Sequence, residues 1–135
     1  MGRSNLSVLV ADDHENTRKV FVRSLSSLGF SCDEAKDGRE CLAKFSTNLY
    51  DIVFLDLVMP EIDGDTVLRW IKSRAPGTDV VVASVQDDVG IIRQVLAAGA
   101  RAYLVKPVSE PQISAVMNGV QNRRTASGRL MAACA

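Results

Sequence analysis

Asp51-Ile52-Val53-Phe54-Leu55-Asp56 decides the fold: a short run of bulky apolar residues that stops at an acid. A run this short, without polar alternation, reads as a strand covered on both faces, as in a parallel sheet. Working outward, the same form recurs. Leu6-Ser7-Val8-Leu9-Val10-Ala11 stops at Asp12-Asp13, Val80-Val81-Val82-Ala83 at Ser84, and Ala102-Tyr103-Leu104-Val105 at Lys106-Pro107. Phe30-Ser31-Cys32-Asp33-Glu34-Ala35 alternates and is more polar, as an edge strand is.

Helical patterns fill the gaps. Over 16–28, Val20, Phe21, Leu25 and Leu28 make an apolar stripe closed by Gly29. Further helices are expected over 38–46, 64–74, 87–98 and 109–122, the last opening on Ser109 and Gln112 at capping-box spacing. Asp37-Gly38 reads as a turn or cap. Strictly alternating strands and helices imply an α/β domain: a doubly wound, five-stranded parallel sheet with helices on both faces and right-handed crossovers. The domain is expected over 5–123, with 124–135 a flexible tail or truncated linker, since apolar periodicity fades there.

The chain has 135 residues, enough for one core. Its formal net charge of zero gives no bulk reason to bind nucleic acid or an anionic membrane. No stretch approaches the ~20 apolar residues of a membrane span, and the short apolar run after Met1-Gly2-Arg3-Ser4-Asn5 is too brief for a signal peptide. Cys32, Cys41 and Cys134 are few, odd in number and scattered, which fits free thiols and a cytoplasmic setting.

Ligands bind beyond the carboxyl ends of parallel strands, where the winding reverses. The order 2-1-3-4-5 puts Asp12, Asp13 and Asp56 on adjacent strands, flanked by Ser84 and Lys106. Three carboxylates so gathered call for a cation, and an oxygen-rich set favours Mg²⁺ or Mn²⁺ over zinc. A carboxylate can attack phosphorus, and phosphoryl transfer needs mainly positioning and charge neutralisation. Asp56, ending the central strand, is the expected nucleophile.

Val10-Ala11-Asp12-Asp13, Leu55-Asp56-Leu57-Val58-Met59-Pro60-Glu61-Ile62-Asp63-Gly64, Ala83-Ser84, Ala98-Gly99-Ala100 and Tyr103-Leu104-Val105-Lys106-Pro107 together resemble the receiver domain of two-component response regulators, whose fold is flavodoxin-like. The resemblance implies that Asp56 accepts a phosphoryl group from a phosphohistidine on a sensor histidine kinase or histidine phosphotransfer protein. It implies that Asp13, Asp56 and the carbonyl of Val58 bind Mg²⁺, with Asp12 acting largely through water. Lys106 pairs with Asp56 and then with the phosphoryl oxygens, Ser84 donates to them, and Tyr103 turns inward as Ser84 shifts. Lys106-Pro107 resembles the family's cis peptide bond. The module is then no enzyme acting on other molecules, although it promotes its own phosphorylation and dephosphorylation.

The helix over 87–98 carries more apolar residues than one core stripe needs (Val89, Ile91, Ile92, Val95, Leu96). That surplus marks the face of the fourth helix, fifth strand and fifth helix for a downstream effector or a homodimer. Moving such a surface from 1% to 99% active takes about 5.5 kcal/mol.

Val58 and Gln86, each two places beyond a phosphate-handling residue, tune the approach of water. Apolar Val58 is not expected to position it, whereas the amide of Gln86 is able to, and a fairly long-lived phospho-form is expected. Val85 is bulkier than the small residue usual in the family and is expected to narrow phosphate access. His14 reads as a solvent-facing helix-start residue, with contact to a phosphodonor as the other reading. Trp70 reads as half-buried packing.

Three other functions compete. A phosphatase of the haloacid dehalogenase type needs an acid where Val58 stands. A flavodoxin-like cofactor binder needs a Ser/Thr/Gly-rich phosphate loop where Asp12-Asp13-His14-Glu15 stands. A receiver-like interaction domain that is never phosphorylated remains the alternative. The chain either acts alone through protein contacts or is the front piece of a longer regulator.

Overall fold

The computed structural model describes the backbone of residues 6–134 and the side chains of residues 6–124. In chain order the elements are β1 (Val8–Ala11), α1 (Glu15–Ser27), β2 (Cys32–Ala35), α2 (Gly38–Phe45), β3 (Ile52–Leu55), α3 (Gly64–Arg74), β4 (Asp79–Ser84), α4 (Val89–Ala97), β5 (Ala102–Val105) and α5 (Glu110–Cys134). The sheet is parallel throughout, in the expected order β2-β1-β3-β4-β5.

Side chains along a strand alternate between faces, and here both faces are covered. Leu9, Val53, Leu55, Val80 and Val82 point into one core with Cys41, Phe45, Val67, Leu68, Ile71 and Val95 of α2, α3 and α4. Val8, Val10, Ile52, Phe54 and Val81 point into the other, with Phe21 and Leu25 of α1 and Ile113, Met117 and Val120 of α5. Two dry faces leave no position for a polar residue, which is why the central strands read as unbroken apolar runs. Each such buried side chain contributes about 1.5–3 kcal/mol.

The edges differ. Glu34 on β2 is met by Arg18 Nε at 2.8 Å and Lys19 Nζ at 3.0 Å, so the polar alternation of this strand is used by α1. Those guanidinium and ammonium groups hold the Glu34 carboxyl below its ordinary range. β5 was expected to be buried like the central strands. As the other edge it is only half-buried, and Val105 is exposed.

Helix ends follow local chemistry. Asp37, Asp63 and Asp88 cap α2, α3 and α4, each accepting from a backbone N–H three residues on. Ser109 and Gln112 form the expected reciprocal box at the start of α5. Gly29 and Gly99 take positive φ just after α1 and α4, where a side chain is disfavoured.

Two expectations need correction. Val20 was placed in the buried stripe of α1 but is 41% exposed, and Phe21, Ser24 and Leu25 are the buried residues. The helix expected to end near Asn122 runs on to Cys134, through the stretch expected to be a tail. The stretch is rich in Ala, Arg, Leu and Met, good helix formers, with no proline to stop it. Fading apolar periodicity does not by itself end a helix. Residues 1–5 and Ala135, and the side chain of Cys134, lie outside the described residues, so the readings made on them rest on sequence alone. Cys32 and Cys41 are free, as expected.

Candidate functional site

Register brings the strand ends together. Ala11 pairs with Leu55 across β1 and β3, so Asp12 and Asp56 emerge side by side, and the Asp56 N–H donates to the Ala11 carbonyl at 3.0 Å. Ser84 pairs with Val105 on β5, and the Lys106 N–H donates to the Ser84 carbonyl at 2.8 Å. Lys106 therefore leaves the sheet beside Ser84 and reaches inward past β4 and β3. The Lys106-Pro107 peptide is cis.

Asp12, Asp56 and Ser84 are buried, Asp13 is partly buried and His14 is exposed. Lys106 Nζ lies 2.7 Å from Asp12 Oδ2 and 3.3 Å from Asp56 Oδ2. The lysine was expected to pair with Asp56; its closer partner is Asp12. Asp12 Oδ1 meanwhile accepts from the His14 N–H at 2.9 Å, which turns the chain into α1. Asp56 Oδ1 accepts from the Val58 N–H at 3.2 Å. Burial pushes the Asp56 carboxyl above its ordinary range and nearby Asp12 adds to that, against the opposing pull of the Lys106 ammonium and the Val58 N–H.

The β3–α3 loop is held by alternation and by one glycine. Leu57 and Met59 turn into the core while Val58 stays exposed. A Cβ on Gly64 would stand 2.3 Å from the Asp56 carbonyl oxygen and 2.6 Å from Leu57 Cα, so only glycine lets α3 start this close to the site. The Gly64 N–H donates to the Leu57 carbonyl at 2.8 Å.

One ligand atom from each of Asp12, Asp13, His14 and Asp56 lies within 4.8 Å of the others. Asp13 Oδ1 is buried without a hydrogen-bond donor, the condition a cation relieves. The donor set is mostly hard oxygen, so these residues fit a divalent cation such as Mg²⁺.

On the other flank, Ser84 Oγ accepts from the Gln86 N–H at 3.3 Å, and the Tyr103 hydroxyl donates to the Gln86 carbonyl at 2.8 Å. Tyr103 thus rests against the β4–α4 loop that Ser84 begins. Val85 is 71% exposed and joins Thr17, Val20, Lys106, Pro107 and Val108 around a groove of about 400 Å³ beside the acids. Val89, Leu96 and Val105 leave an exposed apolar face on α4 and β5. Trp70 packs edge-on to Phe45 at 6.2 Å, under the guanidinium of Arg74, as the packing reading expects.

Residues 8–118 match the response regulator receiver domain family. The chain belongs to that family. A receiver domain is a module of two-component signalling, and relatives agree with the match. The response regulator MprA of Mycolicibacterium vanbaalenii is 36% identical over 118 residues, covering 87% of this chain and 51% of the relative. The chain therefore spans about half the length of the curated relatives it matches. Among solved structures, the receiver domain of the Francisella response regulator 1452 superposes with a TM-score of 0.83 at 30% identity, covering 89% of this chain and 99% of that one. A CheX–CheY–BeF₃–Mg²⁺ complex from Borrelia burgdorferi gives 0.81 at 30% identity, covering 85% and 88%. No helix among the described residues is long and apolar enough to cross a membrane.

The sequence placed five candidate site residues at one sheet edge, Asp12, Asp13, Asp56, Ser84 and Lys106, and the structure brings them there; Tyr103, named from the resemblance, lies within β5 against the β4–α4 loop. Sequence reasoning missed Arg18, whose Nη1 donates to the Asp12 carbonyl at 2.8 Å while its Nε holds Glu34. Its position on α1, one turn beyond the acids, was the available signal.

Proposed function

We propose that this receiver domain is a phosphoacceptor: Asp56 takes a phosphoryl group from a phosphohistidine, with a divalent cation held by Asp13, Asp56 and the Val58 carbonyl. The observation that carries the reading is the convergence of Lys106 Nζ on Asp12 and Asp56 beside the donor-less oxygen of Asp13. A carboxylate oxygen of Asp56 attacks phosphorus. An acyl phosphate forms as the P–N bond breaks, and the electron pair stays on the imidazole nitrogen of the donor. Mg²⁺ or Mn²⁺ held by Asp13, Asp56 and the Val58 carbonyl would, when bound, supply neutralisation of charge on the phosphoryl oxygens. Lys106, close to both carboxylates, stands ready to follow the new negative charge. Ser84 donates its hydroxyl to the same oxygens.

The raised affinity of Asp56 for a proton is no obstacle. Burial and like charge cause it, and a bound dication opposes both. The partly apolar groove between α1 and the Lys106-Pro107-Val108 loop gives a sensor histidine kinase or phosphotransfer protein a surface to lie on while presenting its histidine.

A dianion at Asp56 draws on Ser84 and Lys106, and through Ser84 on the loop that Tyr103 holds at Gln86. Freed of that hydrogen bond, Tyr103 turns inward and changes the α4–β5–α5 face. That face, with Val89, Leu96 and Val105 exposed, serves a downstream effector or a second copy. The setting is cytoplasmic, and neither nucleic acid nor membrane is bound by this domain.

Mass spectrometry after acetyl phosphate or kinase treatment tests the reading. One added phosphate, lost in Asp56→Asn, is expected. A chain that takes up none from any donor would leave the non-phosphorylated interaction domain in its place.

A further inference from the structure

His14 is the only histidine of the chain, and it stands among the acids. It occupies the N-cap position of α1, yet its side chain makes no capping bond. Its Nδ1 lies 3.2 Å from Asp13 Oδ1 and 3.8 Å from Asp12 Oδ1. Asp13 Oδ1 is buried and accepts no hydrogen bond, so the 3.2 Å approach is a juxtaposition rather than a bond. An oxygen without a donor thus stands beside a ring nitrogen, a pair that a shared cation would satisfy.

The spacing suits one. Ligands about 2.1 Å from an octahedral ion stand about 3.0 Å apart when adjacent and about 4.2 Å apart when opposite. The 3.2 Å separation matches an adjacent pair. The 4.8 Å that bounds the whole group exceeds an opposite pair by a few tenths of an ångström. The His14 side chain is 72% exposed and so has room to adjust toward an ion.

We infer that His14 Nδ1 is a direct ligand of the divalent cation in this site and shifts its preference from Mg²⁺ toward Mn²⁺ and Co²⁺. Carboxylate and water oxygens suit Mg²⁺, which gives up water reluctantly, whereas imidazole nitrogen suits the later first-row ions. A site of carboxylates alone gains little from exchanging Mg²⁺ for Co²⁺; one with a nitrogen ligand gains more. The inference rests on Asp13 and Asp56 as cation ligands.

The test uses the full chain with Mn²⁺, Co²⁺ and Mg²⁺ as probes. Pulsed electron paramagnetic resonance of the Mn²⁺ form is expected to show ¹⁴N coupling of a bound imidazole, absent in His14→Ala. By calorimetry, His14→Ala is expected to lower Co²⁺ affinity at least about tenfold, the low end of what loss of even a supporting outer group costs, and to leave Mg²⁺ affinity nearly unchanged. The missing capping bond means the substitution leaves helix α1 intact, which circular dichroism checks. Cation binding that depends on Asp13 (lost in Asp13→Asn) but shows no nitrogen coupling overturns the role of His14 and leaves the cation site standing. Equal losses for Mg²⁺ and Co²⁺ also overturn it. Absence of any Asp13-dependent binding removes both readings.

Discussion

Gly64→Ala sets two effects of opposite sign against each other. Gly64 is the first residue of α3, where alanine is intrinsically favoured by about 1 kcal/mol. Its φ is not in the left-handed region, so no conformational penalty opposes the change. Space does. The added methyl would meet the Asp56 carbonyl oxygen at 2.3 Å, Leu57 Cα at 2.6 Å and the Asp56 carbonyl carbon at 3.0 Å. All three are backbone atoms, so no side chain can rotate away. Either α3 or the loop after β3 must retreat by about 1 Å, and such overpacking costs about 1–3 kcal/mol or more. The retreat also lengthens the 2.8 Å bond from the Gly64 N–H to the Leu57 carbonyl, a further ~1 kcal/mol. The net expectation is a loss of about 1–3 kcal/mol, read as a lower urea midpoint. Because the displaced backbone belongs to Asp56 and Leu57, Mg²⁺ affinity and phosphate uptake should fall as well. Gly77→Ala is the control: nothing lies within 4 Å of its would-be methyl, so its stability should hold or rise. Wild-type stability in Gly64→Ala, or a loss without any effect on Mg²⁺ binding, would refute the reasoning.

Five further outcomes are expected. Because the folded-state pKa of Asp56 lies above its unfolded value, protonation at this site favours the fold at low pH, and that contribution is lost as pH rises through the folded pKa; Asp56→Asn should therefore be the more stable protein at pH 7 in EDTA, with the difference closing toward pH 3 in urea melts, and a less stable variant at pH 7 would contradict this. Lys106→Met leaves the buried carboxylates of Asp12 and Asp56 without their cation and should cost about 3 kcal/mol in EDTA; a loss under about 1 kcal/mol, within the range of an exposed pair, would mean solvent already screens the pair. With apolar Val58 exposed beside Asp56, phosphate on Asp56 should persist for minutes or longer and Val85→Ala should speed uptake from acetyl phosphate; a lifetime of seconds, or unchanged uptake, would count against those two assignments. Burial pushes the Cys41 thiol up to about 12 and that of Cys32 up to about 11, so in a Cys134→Ser variant neither should react appreciably with iodoacetamide at pH 8 until urea unfolds the chain.

The strands and their order were legible because burial on both faces leaves a plain trace, apolar runs such as Ile52-Val53-Phe54-Leu55 ended by polar residues. The site was legible for the same reason, since a parallel sheet carries every strand's last residue to one edge. Side-chain direction was not. Local pattern cannot tell that Val20 faces the groove while Ser24, four residues on, is buried, because both lie near the border of the apolar stripe. Nor can it tell that Lys106 comes closer to Asp12 than to Asp56, a matter of reach across two strands. His14 looked like an ordinary helix start because sequence shows a neighbour of two acids but not an unpaired oxygen on one of them.

At the edge of the sheet opposite the acids, Arg123 and Arg124 of α5 grip the buried carboxylate of Asp79, and Arg124 also reaches the carbonyls of Asp51 and Gly77 at 2.9 Å. Two guanidinium groups on one helical turn make that point a fulcrum. The helix cannot slip along its axis without tearing a charge away from β4, the strand that carries Ser84 at its far end. This turn of α5 is therefore moored to the opening residue of the same strand whose closing residue, Ser84, stands beside the acids.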